Sequence, residues 1–371
     1  MSAEQPSNFR KAVENQASNP KPQKYCKYGF FNNQYRNVQI PVINAFTYPG
    51  KCAILYIPKL TIMENFMLAR EKMAVIFDIQ RGSYVDGPGI RTTVFMKGCN
   101  LSCAWCHNPE SKSAKAQRMW YENRCAHCGI CAEKCPEKAI GFDPVSGRLT
   151  LDRDSCRLCG SCVIWCPHDA IAICGREMGT DELLREIIKD SAFYESSGGG
   201  MTISGGECML HPDFVAELTE KCVKANIHTA VDTAGCVPWE NFEKVLGYTN
   251  LFLYDIKCIT PELHSEFVGA DNSLILRNYI RLLSKGCKVH VRIPMIPEFN
   301  ANDSEFAKIS DFLHRYPPEK VELLPYHAMG ESKFRALGLG EPRIFRIPDS
   351  ESMSKYRAMV ADLNQNGTAA L

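Results

Sequence analysis

The spacing of the cysteines constrains this chain more than any other feature. There are 19 in 371 residues, and an odd count does not close into a disulfide framework. Eleven fall into three groups. Cys99, Cys103 and Cys106 are spaced C-x3-C-x2-C. Cys125, Cys128, Cys131 and Cys135 run C-x2-C-x2-C-x3-C, with Pro136 next. Cys156, Cys159, Cys162 and Cys166 repeat that run before Pro167. Segments 125–140 (CAHCGICAEKCPEKAI) and 156–171 (CRLCGSCVIWCPHDAI) agree at eight of sixteen positions, so they form an internal repeat. The other eight cysteines stand singly and read as small buried hydrophobes. A net charge of +1 gives no basic excess for nucleic-acid binding. The longest apolar run near the N-terminus, Cys52 to Ile57, is too short for a membrane span or a secretory signal. A cytoplasmic protein with reduced thiols is expected, with neither nucleic acid nor membrane as partner.

Each four-cysteine run is that of bacterial-type ferredoxins. Two-residue gaps let three thiolates close around one face of a cubane cluster, and the fourth reaches across to the other cluster. On that pattern Cys125, Cys128, Cys131 and Cys166 bind one 4Fe–4S cluster. Cys156, Cys159, Cys162 and Cys135 bind a second. Four-cysteine zinc sites are the alternative, but they show two CxxC knuckles across a longer loop. The first group is different: three thiolates leave one of four irons open to a small molecule, as in reactive metal sites.

C-x3-C-x-aromatic-C, with Trp105 before Cys106, is the signature of radical S-adenosylmethionine (SAM) enzymes. The stretch VDGPGIRTTVFMKGCNLSCAWCHNPES, residues 85–111, resembles the activating enzymes of glycyl radical enzymes, of the pyruvate formate-lyase activating type. The resemblance runs from Met73 to the neighbourhood of Gly340. It implies that the open iron chelates SAM, and that reductive cleavage yields methionine and a 5′-deoxyadenosyl radical. That radical takes a hydrogen from a backbone glycine of a partner glycyl radical enzyme. Flavodoxin or ferredoxin would donate the electrons, and the two further clusters would relay them or brace their segment. A radical SAM enzyme acting on another small molecule or a peptide is the alternative, against which VDGPGIR argues. A purely electron-carrying protein would leave the three-cysteine group unexplained.

Residues 1–72 lie outside the resemblance, carry no Asp or Glu between Glu14 and Glu64, and read as a poorly ordered leader or an over-long start. From Met73, strand-like and helix-like stretches alternate. Strands are expected at 74–79, 92–96, 201–204, 227–232, 251–256, 288–293 and 320–324. Helices are expected at 181–195, 212–225, 239–247, 272–285, 303–315 and 351–363, the first capped by Thr180. Such alternation implies parallel βαβ units. The fold class is α/β, a partial TIM-like (β/α)6 radical SAM barrel. Residues 73–119 start it, 120–175 form an inserted bacterial ferredoxin-like subdomain, and 176–371 complete it with a C-terminal helix.

Polar motifs recur at the C-terminal ends of the expected strands, where barrel active sites are built. Gly205, Gly206 and Glu207 follow one strand; Asp232 and Thr233 end the next; Asp255, Ile256 and Lys257 follow. Arg292 and His327 end the last two. The glycines let backbone approach a ligand, Glu207 can accept from the SAM amino group, and Lys257 and Arg292 can pair with its carboxylate. His327 can hydrogen-bond the nucleoside, while Trp105 and His107 can pack against adenine. The resemblance implies SAM contact at these positions, a monovalent cation at Asp232, Thr233 and Asp255, and docking of the partner's glycine loop at Asp86. Cys208 departs from the family's usual Pro or Ala and reads as a small residue at a helix start.

Overall fold

The computed structural model describes residues 71–364, so the leader expected over 1–72 lies outside them except for Glu71 and Lys72. The described strands are β1 (Met73–Ser83), β2 (Arg91–Met96), β3 (Gln117–Trp120), β4 (Ile140–Phe142), β5 (Leu149–Leu151) and β6 (Ile171–Cys174). They continue with β7 (Arg176–Gly179), β8 (Gly200–Gly205), β9 (His228–Thr233), β10 (Leu251–Asp255), β11 (Val289–Met295) and β12 (Lys320–Pro325). One eight-stranded sheet has the order β12-β11-β10-β9-β8-β2-β1-β7. Six neighbours in it, β2 and β8 to β12, are parallel. This is the expected partial barrel of six parallel strands.

The strands form where the chain reads as short apolar runs, because parallel strands are covered on both faces. β10, LFLYD, is buried at its first four positions, and β8, GMTISG, at its first five. Val94, Ile203, Val231, Phe252 and Val291 are at most 1 % exposed and stack along the sheet. Burying each such side chain contributes about 1.5–3 kcal/mol. β1 differs from a βαβ unit: it pairs antiparallel with β2, because residues 84–90 are too few for a crossover helix. β7, too short and polar to stand out in sequence, pairs antiparallel with β1.

Helices cover the crossovers at Pro212–Lys224, Trp239–Val245, Ser273–Ser284 and Asp303–Arg315, close to expectation. Pro261–Val268 is an additional helix. The stretch expected as one helix over 181–195 is two, Thr180–Ile188 and Ser191–Ser197. Asp190 lies between them, accepting from the Thr92 hydroxyl at 2.6 Å and paired with Arg81, which ties the break to the sheet. Thr180 is not the cap either. Gly179 takes that position, and the Thr180 hydroxyl donates to Glu217 at 2.6 Å. The final helix, Ser350–Ala358, stops short of the expected 363. No helix among the described residues is long and apolar enough to cross a membrane.

Between β2 and β7 the chain leaves the main sheet. β3 pairs with β6 and β4 with β5, and short helices occupy Ile130–Glu133 and Ser161–Ile164. The sequence repeat is also a backbone repeat. His127 and Leu158 both have φ 53, Gly129 and Gly160 have φ 77 and 82, and Lys138 and Asp169 have φ 50 and 49. Left-handed backbone costs a non-glycine residue about 1–2 kcal/mol. Four such residues beside the thiols mark a chain bent around something. Met119 packs with Ala336 and Leu337, and Arg153 donates to Leu337 O, which ties this segment to the C-terminal part of the chain.

Candidate active site

The loop after β2 carries the first three cysteines and is held by backbone bonds at both ends. Gly98 N donates to Ser111 O at 2.7 Å. Ser102 N and Ala104 N donate to Val268 O and Phe267 O at 2.8 and 2.9 Å, using the open carbonyls at the end of helix Pro261–Val268. Burial pushes the Cys99 thiol up to about 12 and Cys106 up to about 11, and raises Cys103 as well. Without a metal these three remain neutral thiols; bound iron would stabilise them as thiolates. Leu101 N–H already points at the Cys99 sulfur, 3.4 Å away.

The Gly205–Gly206–Glu207 turn lies directly against this loop. Gly206 N donates to Met96 O at 2.9 Å and Glu207 N to Gly98 O at 2.8 Å. A Cβ on Gly205, whose φ is +126°, would meet Met96 O at 2.1 Å. Gly205 thus packs against the end of β2 and Gly206 against the start of the cysteine loop. Glu207 is 1 % exposed. Its carboxylate accepts from Met209 N at 3.0 Å, the Thr233 hydroxyl at 2.7 Å and Ala234 N at 2.9 Å. Burial raises it to about 7 against those bonds. Glu207 thus fastens β8 to β9, and Thr233 serves it. Cys208 opens the short helical turn Cys208–Leu210, fully buried, as a small residue should.

Five charged groups converge inside the barrel. Arg292 Nη1 lies 3.3 Å from Asp232 Oδ2 and 3.8 Å from Asp86 Oδ1. Arg292 sits within β11, which continues to Met295, rather than at its end. Burial works against its charge, but Asp232, Asp255 and Asp86 hold its pKa above the ordinary value. Its Nε is buried and has no partner. Burial, opposed by Arg292, raises Asp232 to about 6. Lys257 Nζ bonds Asp255 Oδ2 at 2.6 Å. Asp86 is 7 % exposed and accepts from the Ser83 and Thr93 hydroxyls at 2.6 and 2.8 Å. Asp232, Thr233 and Asp255 are thus engaged by Arg292, Glu207 and Lys257.

Trp105 directly precedes Cys106. It is 6 % exposed, with its ring 4.5 Å from that of Phe299 in a cluster with Leu101, Ile296 and Phe345, so it braces the loop from behind. Ile256 is buried too. His107 and the exposed His327 stack with ring centroids 3.9 Å apart. Burial first, and His327 second, lower His107 to about 4. Its Nε2 is buried without a partner. Lys333 escaped notice in the sequence, where a lone lysine carries no pattern. It bonds Asn108 Oδ1 at 3.0 Å and Glu110 Oε1 at 2.6 Å, pinning the end of the cysteine loop.

The eight repeat cysteines ring two cavities. One, partly open to solvent, is lined by Cys125, Cys128, Cys131 and Cys166. The other is lined by Cys135, Cys156, Cys159 and Cys162. Three thiols of one repeat and the fourth of the other share each space. Ala139 N and Ala170 N donate to the sulfurs of Cys135 and Cys166, both at 3.3 Å. These are bonds that favour a thiolate.

A three-thiol loop closed on the strand ends of a six-stranded parallel barrel defines a class, and the sequence matches it. The family model described as the radical SAM superfamily matches residues 93–313, and the chain belongs to that superfamily. Over 296 residues it is 43% identical to the trans-4-hydroxy-L-proline dehydratase activating enzyme of Clostridioides difficile, covering 79% of this chain and 97% of that protein. It is 39% identical to the benzylsuccinate synthase activating enzyme of Thauera aromatica, over 80% of this chain and 92% of that one. A domain of a pyruvate-formate lyase-activating enzyme from Bacteroides vulgatus is 30% identical and has a TM-score of 0.38, covering 44% of this chain and 94% of its own. Within the superfamily, the chain belongs to the activating enzymes of glycyl radical enzymes. Its family works with a 4Fe–4S cluster and SAM, and its partner is a glycyl radical enzyme.

Proposed function

We propose that Cys99, Cys103 and Cys106 hold the catalytic 4Fe–4S cluster and that SAM lies across the C-terminal ends of β8 to β12. The observation that supports this most is the seating of the Gly205–Glu207 turn on the cysteine loop, which joins the strand ends to the thiols. When bound, the cluster supplies the electron that cleaves SAM to methionine and a 5′-deoxyadenosyl radical, which takes a hydrogen atom from a partner glycine.

The chain's own residues orient and exclude water. The Arg292 Nε and the remaining Lys257 N–H bonds are donors for the carboxylate of SAM. The stacked His107 and His327 give a flat wall and an unused ring nitrogen for the nucleoside. A monovalent cation at Asp232, Thr233 and Asp255 would compete with Arg292 and Lys257 for the same oxygens. Asp86 marks the inner end of the path for the partner's glycine loop, with exposed Tyr84 and Val85 at its rim.

The two four-thiol cavities hold two further 4Fe–4S clusters and receive electrons from a flavodoxin or ferredoxin. Cys128 and Cys159 are exposed, as is Trp165, which gives a donor a face to dock on. The test is a partner glycyl radical enzyme carrying α-deuterated glycine, mixed anaerobically with this protein, SAM and reductant. Deuterium in the 5′-deoxyadenosine together with a glycyl radical signal is the expected result. 5′-Deoxyadenosine without deuterium and without that signal would assign the hydrogen to another substrate.

A further inference from the structure

Arg118, on β3, is 3 % exposed. Its Nη1 is buried without a hydrogen-bond partner, and the ion pairs among the described residues do not include it. An arginine keeps its charge under any ordinary condition, and a buried charge without a carboxylate destabilises a fold unless something negative arrives. The side chain lines the cavity of Cys135, Cys156, Cys159 and Cys162.

The repeat supplies an internal comparison. Arg118 pairs with Ile173 across β3 and β6, as Leu149 pairs with Phe142 across β5 and β4. Arg118 stands seven residues before Cys125, and Leu149 seven before Cys156. Ile173 lines the cavity with Arg118, the first, and Phe142 lines that of Cys125, Cys128, Cys131 and Cys166, the second, so the two sites are built alike. The buried cation is what distinguishes them. The other charged residues on the first cavity, Glu137 and Arg157, pair with each other at 3.4 Å near the surface. His168 lines the second and is exposed.

We propose that Arg118 sets the two auxiliary clusters at different potentials, making the one held by Cys135, Cys156, Cys159 and Cys162 the easier to reduce. A 4Fe–4S cluster gains one negative charge when an external donor's electron reduces it, so a fixed cation beside it favours the reduced form. The electron then rests first in the cavity that contains Arg118. This inference rests on the reading of the two cavities as cluster sites.

The test is a redox titration of the reconstituted holoenzyme followed by electron paramagnetic resonance, with iron measured in the same samples. In Arg118→Gln the more positive auxiliary potential should shift negative. Its reduced fraction at the wild-type midpoint should fall on the order of tenfold. Arg118→Lys should restore most of the gap. Leu149→Arg, which places a cation at the matching register position beside Phe142 of the other cavity, should move the second potential up, and it decides the matter if Arg118→Gln fails to load iron. Unchanged potentials in fully loaded Arg118→Gln, or in loaded Leu149→Arg if the Gln variant does not load, would overturn the role of Arg118 while leaving the clusters in place. Wild-type protein loading only about four irons, where three clusters need about twelve, would overturn the cluster reading beneath it.

Discussion

Gly206 sits so close to Cys99 that a methyl group on it would stand 2.9 Å from the Cys99 Cβ and 2.3 Å from Gly98 O. The backbone atoms have nowhere to go, so Gly206→Ala must push the cysteine loop away from β8. A displacement of about 1 Å at a reacting centre costs on the order of a hundredfold in rate. SAM cleavage should fall by that amount in Gly206→Ala, whereas Gly247→Ala, with open space around it, should match wild type. Product formation under strong reductant checks both variants.

Arg292 carries a second prediction. Its replacement by Leu leaves buried Asp86 and part-buried Asp232 with their cation gone. Breaking a buried pair in this way costs about 3–5 kcal/mol. Anaerobic denaturant titration should show that loss. Arg292→Lys should lose less, because the charge remains while the planar fork does not.

The pairing of thiols across the repeat predicts a specific pattern of iron loss. Cys166→Ala should strip the cluster of the cavity that contains Cys125, Cys128 and Cys131, although Cys166 lies in the other repeat. Iron content should fall by about a third, and Cys135→Ala should remove the other auxiliary cluster. Loss of the cluster from the variant's own repeat would contradict the crossed arrangement.

Acid stability follows from His228. Its Nδ1 is 3.4 Å from both terminal nitrogens of Arg91. Burial, and then Arg91, lower it to about 4 from 6.5. The folded form therefore binds the proton later than the unfolded form does. His228 contributes fully above pH 6.5, and its contribution is lost as pH falls from 6.5 to about 4. His228→Gln should flatten stability over that window by about 1–3 kcal/mol, as read from unfolding midpoints at several pH values.

The parallel strands were legible because burial on both faces leaves runs such as LFLY with few alternatives. The crossed thiol cavities were legible because the four-cysteine run is duplicated at short spacing. Long-range polar partnerships were not. Asp86 and Arg292 are far apart in sequence and meet only when the barrel forms. Glu207 and Thr233 both looked like ligand contacts, yet each spends hydrogen-bonding capacity on the other. Trp105 stands within the cysteine motif, but its neighbours Phe299 and Phe345 come from distant segments and bury it. The break at Asp190 was hidden because helical periodicity continues through it, while the contacts that cause it come from Arg81 and Thr92.

The central claim is that Cys99, Cys103 and Cys106 form the site of SAM cleavage, with the other eight cluster cysteines upstream of it. Its most direct test is 5′-deoxyadenosine release from reconstituted protein, SAM and dithionite under anaerobic conditions. Wild type should form it, and the Cys128→Ala, Cys159→Ala double variant should retain activity with dithionite while slowing with flavodoxin. Cys103→Ala should form none with either reductant. No product from iron-replete wild type, or undiminished product from Cys103→Ala, would contradict the account.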